Sequence, residues 1–451
     1  MTTLLFKNVS VVNEGQIVET DVLVENGRIS QIAQDISAPA AADCRVIDAT
    51  GKHLLPGMID DQVHFREPGF PKKGTIATES KAAVAGGITT YMEMPNVNPP
   101  TTTLEALEEK YQRAAQSSHA NYAFYLGATN DNIDEIRRLD PNSACGVKVF
   151  MGASTGNMLV NDPETLNAIF ADCPTLIATH CEDTPMISEL ESIYREKYGE
   201  DVPIDAHAHI RSKEACLKSS QLAVNLAKKH GTRLHVLHLT TEDELYQFEP
   251  AKTLEALQQK QITAEACVHH LFFNRDDYAT KGTLIKCNPA IKEAHHQQAL
   301  IQAVKDGVID VIATDHAPHT YEEKQNSYFN APAGLPLVQH ALQVALEFYH
   351  RGIFDLPLVV QKVAHAPAVR YQVKDRGFIR EGYWADLVLV DLNQTQTVGQ
   401  DNLFYQCQWS PFDGHTFGSN IDMTIVNGQI AFEHGQHSDE RYSTRLEFDR
   451  Q

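Results

Sequence analysis

The sequence predicts an α/β fold: a closed (β/α)8 barrel of the TIM type carrying a small β-sandwich domain built from both chain ends. Two observations point there. Between Pro56 and about Val369, short apolar strands are followed by helical stretches, with eight strand candidates in order. Both ends read differently, as short alternating strands broken by Asn-Gly and Glu-Gly turns.

The first strands lie in LLFKNVSVVNEGQIVETDVLVENGRISQI, from Leu4 to Ile32, and ADLVLVDLNQT and MTIVNGQIAF repeat the style near the other end. Neither piece has a core of its own. They are therefore expected to pack together, as a composite of residues 1–56 and 370–451, with the barrel of residues 57–369 inserted between them. The barrel strands are expected at GMIDDQVH, TTYMEMP, YAFYLGA, GVKVF, LIATH, RLHVLHL, TAEA and DVIATD. Helical runs such as TIATESKAAVAG and RSKEACLKSSQLAVNLAKKHG separate most of them. The polar SDERYSTRLEFDRQ tail reads as a mobile end or a strap over the β domain.

A formal charge of −21 and scattered Lys and Arg argue against a nucleic-acid surface. No run approaches the roughly 20 apolar residues of a membrane span, and the amino terminus lacks a signal-peptide core. Eight widely spaced Cys without a C-x-x-C read as free thiols in a reducing compartment, so a cytoplasmic protein is expected. A homodimer is compatible with this composition, though no patch demands one.

Chemistry gathers where the strands end, the open mouth of this fold. His64, Lys148, His180, His238 and Asp315 fall at or near the ends of five of the eight strands. A lone His in a chain with 21 of them is usually structural, but a set at successive mouths points to a metal site. In LHVLHLT, alternation places His235 and His238 on opposite faces, and His238 is nearer the mouth. Lys148 sits in apolar GVKVF, where a buried ammonium is costly. Either it pairs with Asp315, or its neutral amine takes up carbon dioxide as a carbamate able to bridge two cations. Alternation puts Gln62, His64 and Arg66 on one side. A neutral amide oxygen is a weaker ligand than imidazole, so one of two metal positions should bind less tightly or reach Gln62 through water. Arg66, Asn96 and His319 suit a planar carboxylate, Arg66 otherwise pairing with Glu67 or Glu93. Asn288 and the backbone around Gly334 could hold ring amides.

GMIDDQVHFREPG, MEMPN, GVKVFMGAST, THCED, LHVLHLT, KCNP and ATDHAPH, with the later QWSPFDGHTFG, resemble the amidohydrolase superfamily and within it the dihydroorotases. The resemblance covers nearly the whole chain. It implies zinc, one or two ions per chain, held by His64, a carboxylated Lys148, His180, His238 and Asp315, with Gln62 where the family has a histidine. It implies Arg66, Asn96 and His319 on a substrate carboxylate, Asn288 on the ring, and Asp315 as the proton carrier. The activity implied is metal-hydroxide hydrolysis of the cyclic amide of dihydroorotate and its reverse, closure of N-carbamoyl-L-aspartate in pyrimidine synthesis. The alternatives are a hydantoinase- or allantoinase-like cyclic amidase, or a non-catalytic partner of a transcarbamoylase.

Overall fold

The computed structural model describes residues 2–39, 44–152 and 157–450. The end of the GVKVFMGAST stretch, 153–155, lies outside them.

Eight parallel strands form one sheet in sequential order: Met58–Val63, Ile88–Glu93, Asn121–Gly127, Gly146–Phe150, Ile177–His180, Leu234–Val236, Ile262–Cys267 and Val311–Ala313. Every expected strand is present. The cylinder closes where the last strand meets the first, His64 N donating to His316 O at 2.7 Å. These strands are buried along their whole length, which is why they read as apolar runs rather than as alternation. Between them, TIATESKAAVAG forms a helix over Ile76–Ala85, and Thr75 caps it by accepting from Thr78 N. The longest helix, Lys213–His230, starts at the Ser212 cap and stops at Gly231, whose φ of +73° is the left-handed conformation that ends helices.

The chain ends build one mixed nine-stranded sheet. Thr3–Asn13 pairs with Gln16–Glu25 on one side and with Cys44–Asp48 and His53–Pro56 on the other. The join between the two chain ends is His53–Pro56 against Leu387–Asp391, antiparallel. Leu4, Phe6, Val22, Ile29, Leu54, Leu387 and Ile425 share a core there. Both ends thus supply strands to one apolar layer that neither could cover alone.

The polar tail runs from the β domain, where Ser438 N donates to Ala431 O and Asn427 Nδ2 to Tyr442 O, onto the barrel. It straps the lower end of the barrel: Tyr122 N donates to Thr444 O, and Leu446 N to Tyr122 O. The Arg450 guanidinium donates to carbonyls of Pro141, Ala144, Cys145 and Tyr371, the loops that enter the fourth strand and the last long helical turn. A fork of N–H donors anchors a sequence that carries few apolar residues. Among the described residues no helix is long and apolar enough to cross a membrane, and all eight cysteines are free.

Candidate metal centre at the barrel mouth

The first strand positions three polar side chains because its pairing with the second slips between Asp60 and Val63. Gln62 Nε2 donates to Asp315 Oδ1 at 3.0 Å, and His64 Nε2 lies 3.1 Å from the same oxygen. Cys267, ending the seventh strand, places its Sγ 3.7 Å from Gln62 Oε1. The other ring nitrogen of His64, Nδ1, lies 2.8 Å from Asn96 Oδ1, an acceptor, so Nδ1 carries the proton and Nε2 a lone pair. Burial, with Arg66 and Lys148 nearby, holds the His64 pKa well below the ordinary imidazole value. Two acceptors therefore face each other at 3.1 Å. Only a proton or a cation between them reconciles that distance.

Across the mouth, His180 Nε2 lies 2.8 Å from Glu182 Oε2, and Arg211 holds the same carboxylate at 3.0 Å. Burial raises the Glu182 pKa, but Arg211 and His180 outweigh it and hold the carboxyl at about 2. Thus His180 donates its Nε2–H to the Glu182 carboxylate and turns Nδ1 toward His238 Nε2, 3.0 Å away. A carboxylate behind an imidazole is the usual way a ligating histidine is oriented. Two ligands on one ion at bonds of about 2.1 Å stand about 3.0–3.4 Å apart, so both pairs have the spacing of shared ligation.

Burial lowers the pKa of Lys148, opposed by Asp315 and Glu265, and raises that of Asp315, opposed chiefly by Lys148. The close partners of Asp315 are His64 and Gln62. The Lys148 ammonium lies 4.6 Å from the Phe150 ring centroid, on the face of the ring. The donor set of imidazoles, a carboxylate and a lysine of depressed pKa fits divalent cations.

A second group is basic. Arg66 Nε donates to Pro318 O at 3.1 Å, and one Nη lies 3.0 Å from His319 Nε2. Lys73 Nζ sits 3.0 Å from the other His319 nitrogen and also pairs with Glu323. Arg66 does not pair with Glu67 or Glu93: Glu67 accepts from Ile76 N, and Glu93 pairs with Lys110 at 3.1 Å. Burial lowers the Arg66 pKa to about 10, which leaves it cationic at neutral pH. Asn96 spends its carbonyl on His64 and keeps its amide nitrogen. Gly334, at φ +137°, packs where a Cβ would meet Ala317 O and the His319 ring. Its N–H donates to Lys286 O and its carbonyl accepts from Lys324 Nζ, so both backbone groups already have partners. Asn288 Oδ1 is buried with no hydrogen-bond partner among the described residues.

One expectation is corrected. His235 and His238 do not face opposite ways. The sixth strand ends at Val236, and His238 takes a left-handed φ of +39°, which swings it back inside the barrel above His235. Arg66 at +70° and Asp315 at +52° share that conformation. Strained backbone at three mouth positions re-aims side chains in a way that a period-two reading misses. Sequence reasoning also passed over Glu182, whose signal was its place two residues after His180, and Lys73. Deeper in the barrel, Asp61, His235 and Glu265 bring ligand atoms within 4.8 Å of one another; at the end of the seventh strand and in the helix after it, Cys267, His269 and His270 do the same.

The amidohydrolase family pattern matches residues 53–431. A dihydroorotase of Halobacterium salinarum is 34% identical over 92% of this chain and 96% of its own length. One of Anoxybacillus flavithermus is 32% identical over 96% of this chain and 99% of its own. Among solved structures, an L-hydantoinase (dihydropyrimidinase) from Arthrobacter aurescens superposes with a TM-score of 0.91 at 28% identity, covering 99% of this chain and all of that one. The chain belongs to the amidohydrolase family, as a metal-dependent cyclic amidohydrolase with a metal-binding barrel.

Proposed function

We propose that this cyclic amidohydrolase is a dihydroorotase, which opens the ring of dihydroorotate and closes N-carbamoyl-L-aspartate. The observation that carries the reading is the buried Arg66 guanidinium beside His319, with Lys73 behind it, at the mouth that holds Asp315. A ring bearing a carboxylate satisfies that charge, whereas a plain hydantoin leaves it unmatched. The similarity to proteins named dihydroorotase supports the same choice.

His64 and Asp315, with Gln62 as the weaker donor, would hold one zinc ion, and His180 and His238 the other. Lys148 would join them as a carbamate. The lowered pKa of its amine makes the neutral form, which reacts with carbon dioxide, more available. Zinc bound there supplies Lewis acidity toward the amide carbonyl and a water whose pKa falls to about 7.

The remaining work belongs to the chain. Arg66, the Asn96 amide nitrogen and His319 bind the carboxylate and fix the ring's orientation, and Asn288 Oδ1 accepts from a ring N–H. Asp315 takes a proton from the attacking water and delivers it to the ring nitrogen as the bond from that nitrogen to the carbonyl carbon breaks. Burial raises its pKa toward the range where both halves of that task are feasible. In reverse, Asp315 takes the proton from the ureido nitrogen as the ring closes and water leaves.

The test is turnover by zinc-supplemented protein of L-dihydroorotate and of N-carbamoyl-L-aspartate, against hydantoin and dihydrouracil. Turnover of the carboxylated pair in both directions supports the reading. Turnover confined to rings without the carboxylate assigns the hydantoinase-like reading instead, and folded, metal-bearing protein inactive on all four assigns the non-catalytic one.

A further inference from the structure

We infer that Asp61, His235 and Glu265 form a further divalent-cation site inside the barrel, separate from the pairs at the mouth. All three side chains are fully buried. His235 Nε2 lies 3.1 Å from Asp61 Oδ2 and 3.5 Å from Glu265 Oε2. Yet neither contact has hydrogen-bond alignment. Both oxygens of Asp61, Nε2 of His235 and Oε2 of Glu265 are without hydrogen-bond partners among the described residues.

Thr263 Oγ1 lies 2.7 Å from His235 Nδ1 and 3.4 Å from Leu234 O. In the tautomer whose Nδ1 proton goes to Thr263, Nε2 is bare and faces two carboxylates; with no ion there, burial lowers the His235 pKa but Asp61 and Glu265 outweigh it and raise it. Glu265 Oε1 accepts from His238 N at 3.0 Å and lies 3.4 Å from Cys267 Sγ, which leaves Oε2 for the centre. His235 Nε2 stands 3.1 and 3.5 Å from the two carboxylate oxygens, and the three ligand atoms lie within 4.8 Å of one another, close to the 3.0–3.4 Å expected of ligands sharing one ion at bonds of about 2.1 Å. Burying two carboxylates without a counter-charge costs several kcal/mol per ion. Two carboxylates and one imidazole suit a first-row divalent ion.

The site reaches the mouth through Glu265, whose Oε1 holds the backbone of His238, and through Asp61, which adjoins Gln62. An ion there would therefore fix the floor on which both mouth pairs stand. The rival occupant is a proton on Nε2, an imidazolium between two carboxylates.

Crystals of the full chain grown with zinc chloride, measured at the zinc absorption edge, distinguish the two. An anomalous peak between the three side chains, apart from any at the mouth, is the expected result. Mouth peaks with none between Asp61, His235 and Glu265 overturn the inference and spare the mouth reading; no peak at either place overturns both. In solution, bound zinc per chain should fall by one equivalent in Asp61→Asn and in Glu265→Gln. His180→Ala should lose a mouth equivalent and keep the deep one. Unchanged stoichiometry in both isosteric variants would also overturn the inference, and circular dichroism melts check that each variant is folded.

Discussion

Replacing Arg66 with Met tests the carboxylate assignment at its centre. Arg66 is 9% exposed as a residue, with Nε used by Pro318 O and one Nη by His319, which leaves the rest of the fork for a ligand. Met keeps most of the side-chain volume and removes every donor. A substrate carboxylate would then be buried without its charged partner, a change worth about 2–5 kcal/mol. At about 1.4 kcal/mol per tenfold, that is a loss of roughly 30- to 4,000-fold in affinity for dihydroorotate. Arg66→Lys should fall between, because it keeps the charge and loses the fork. The assay is kcat/KM for L-dihydroorotate beside dihydrouracil, which lacks the carboxylate, with zinc per chain as the control. The preference for the carboxylated ring should collapse while the metal stays. Dihydroorotate kinetics within threefold of the parent would refute the reasoning.

Lys148→Ala should release metal and abolish turnover together, and full zinc stoichiometry in that variant would remove the carbamate reading. Asp315→Asn should reduce kcat by at least a hundredfold, since it removes a ligand and the proton carrier at once; parent-like kinetics would rule out both roles. Glu182→Gln leaves His180 without its charged anchor, so zinc affinity at the mouth should weaken about 10- to 100-fold by competition with a chelator. Gln62→His should tighten the weaker metal position, with a zinc titration indistinguishable from the parent as the contrary result. Arg450→Ala should lower the melting midpoint through about 2–4 kcal/mol of lost hydrogen bonds and stranded carbonyls, with kcat unchanged at 25 °C.

Much of the fold was legible because buried parallel strands advertise themselves. GVKVF and LIATH have no polar alternation, and each is bounded by turn or helix signals. His64, His180 and Asp315 could be found because each comes at or just after a strand end, where the barrel is open. What escaped depends on backbone that no periodicity describes. His238 was read at the mouth, but not the left-handed turn that brings it to the same side as His235, and Asp61 shares the barrel interior with Gln62 because the strand slips by a residue. The tail was left open between a mobile end and a strap for a different reason. Its anchor on the barrel is Arg450, whose charge reads as solvent-facing until two stretches of chain, 141–145 and the turn at Tyr371, present carbonyls to it. Asn96 was read as a substrate contact and is seen on His64. The two uses are compatible, because a side-chain amide has a separate acceptor and donor.

Gln62 is best understood through the charge inside the barrel rather than as a ligand lost. Asp61, Glu265 and Asp315 lie in one low-dielectric cylinder, against which Lys148 and Arg66 are the nearby cations. Were Lys148 a carbamate, its positive charge would be replaced by a negative one, and the cylinder would need cations to remain buried at all. In that setting the Gln62 amide contributes as a donor. Its Nε2 donates to Oδ1 of Asp315 at 3.0 Å and so helps to fix it. On the proposed reading, losing one neutral ligand would weaken one metal position, while the contact would keep the carboxylate proposed to carry the proton aimed. A metal pair asymmetric in strength, resting on a charged floor at Asp61, His235 and Glu265, is what the two proposals together describe. It predicts that metal affinity and proton transfer respond separately to changes at position 62.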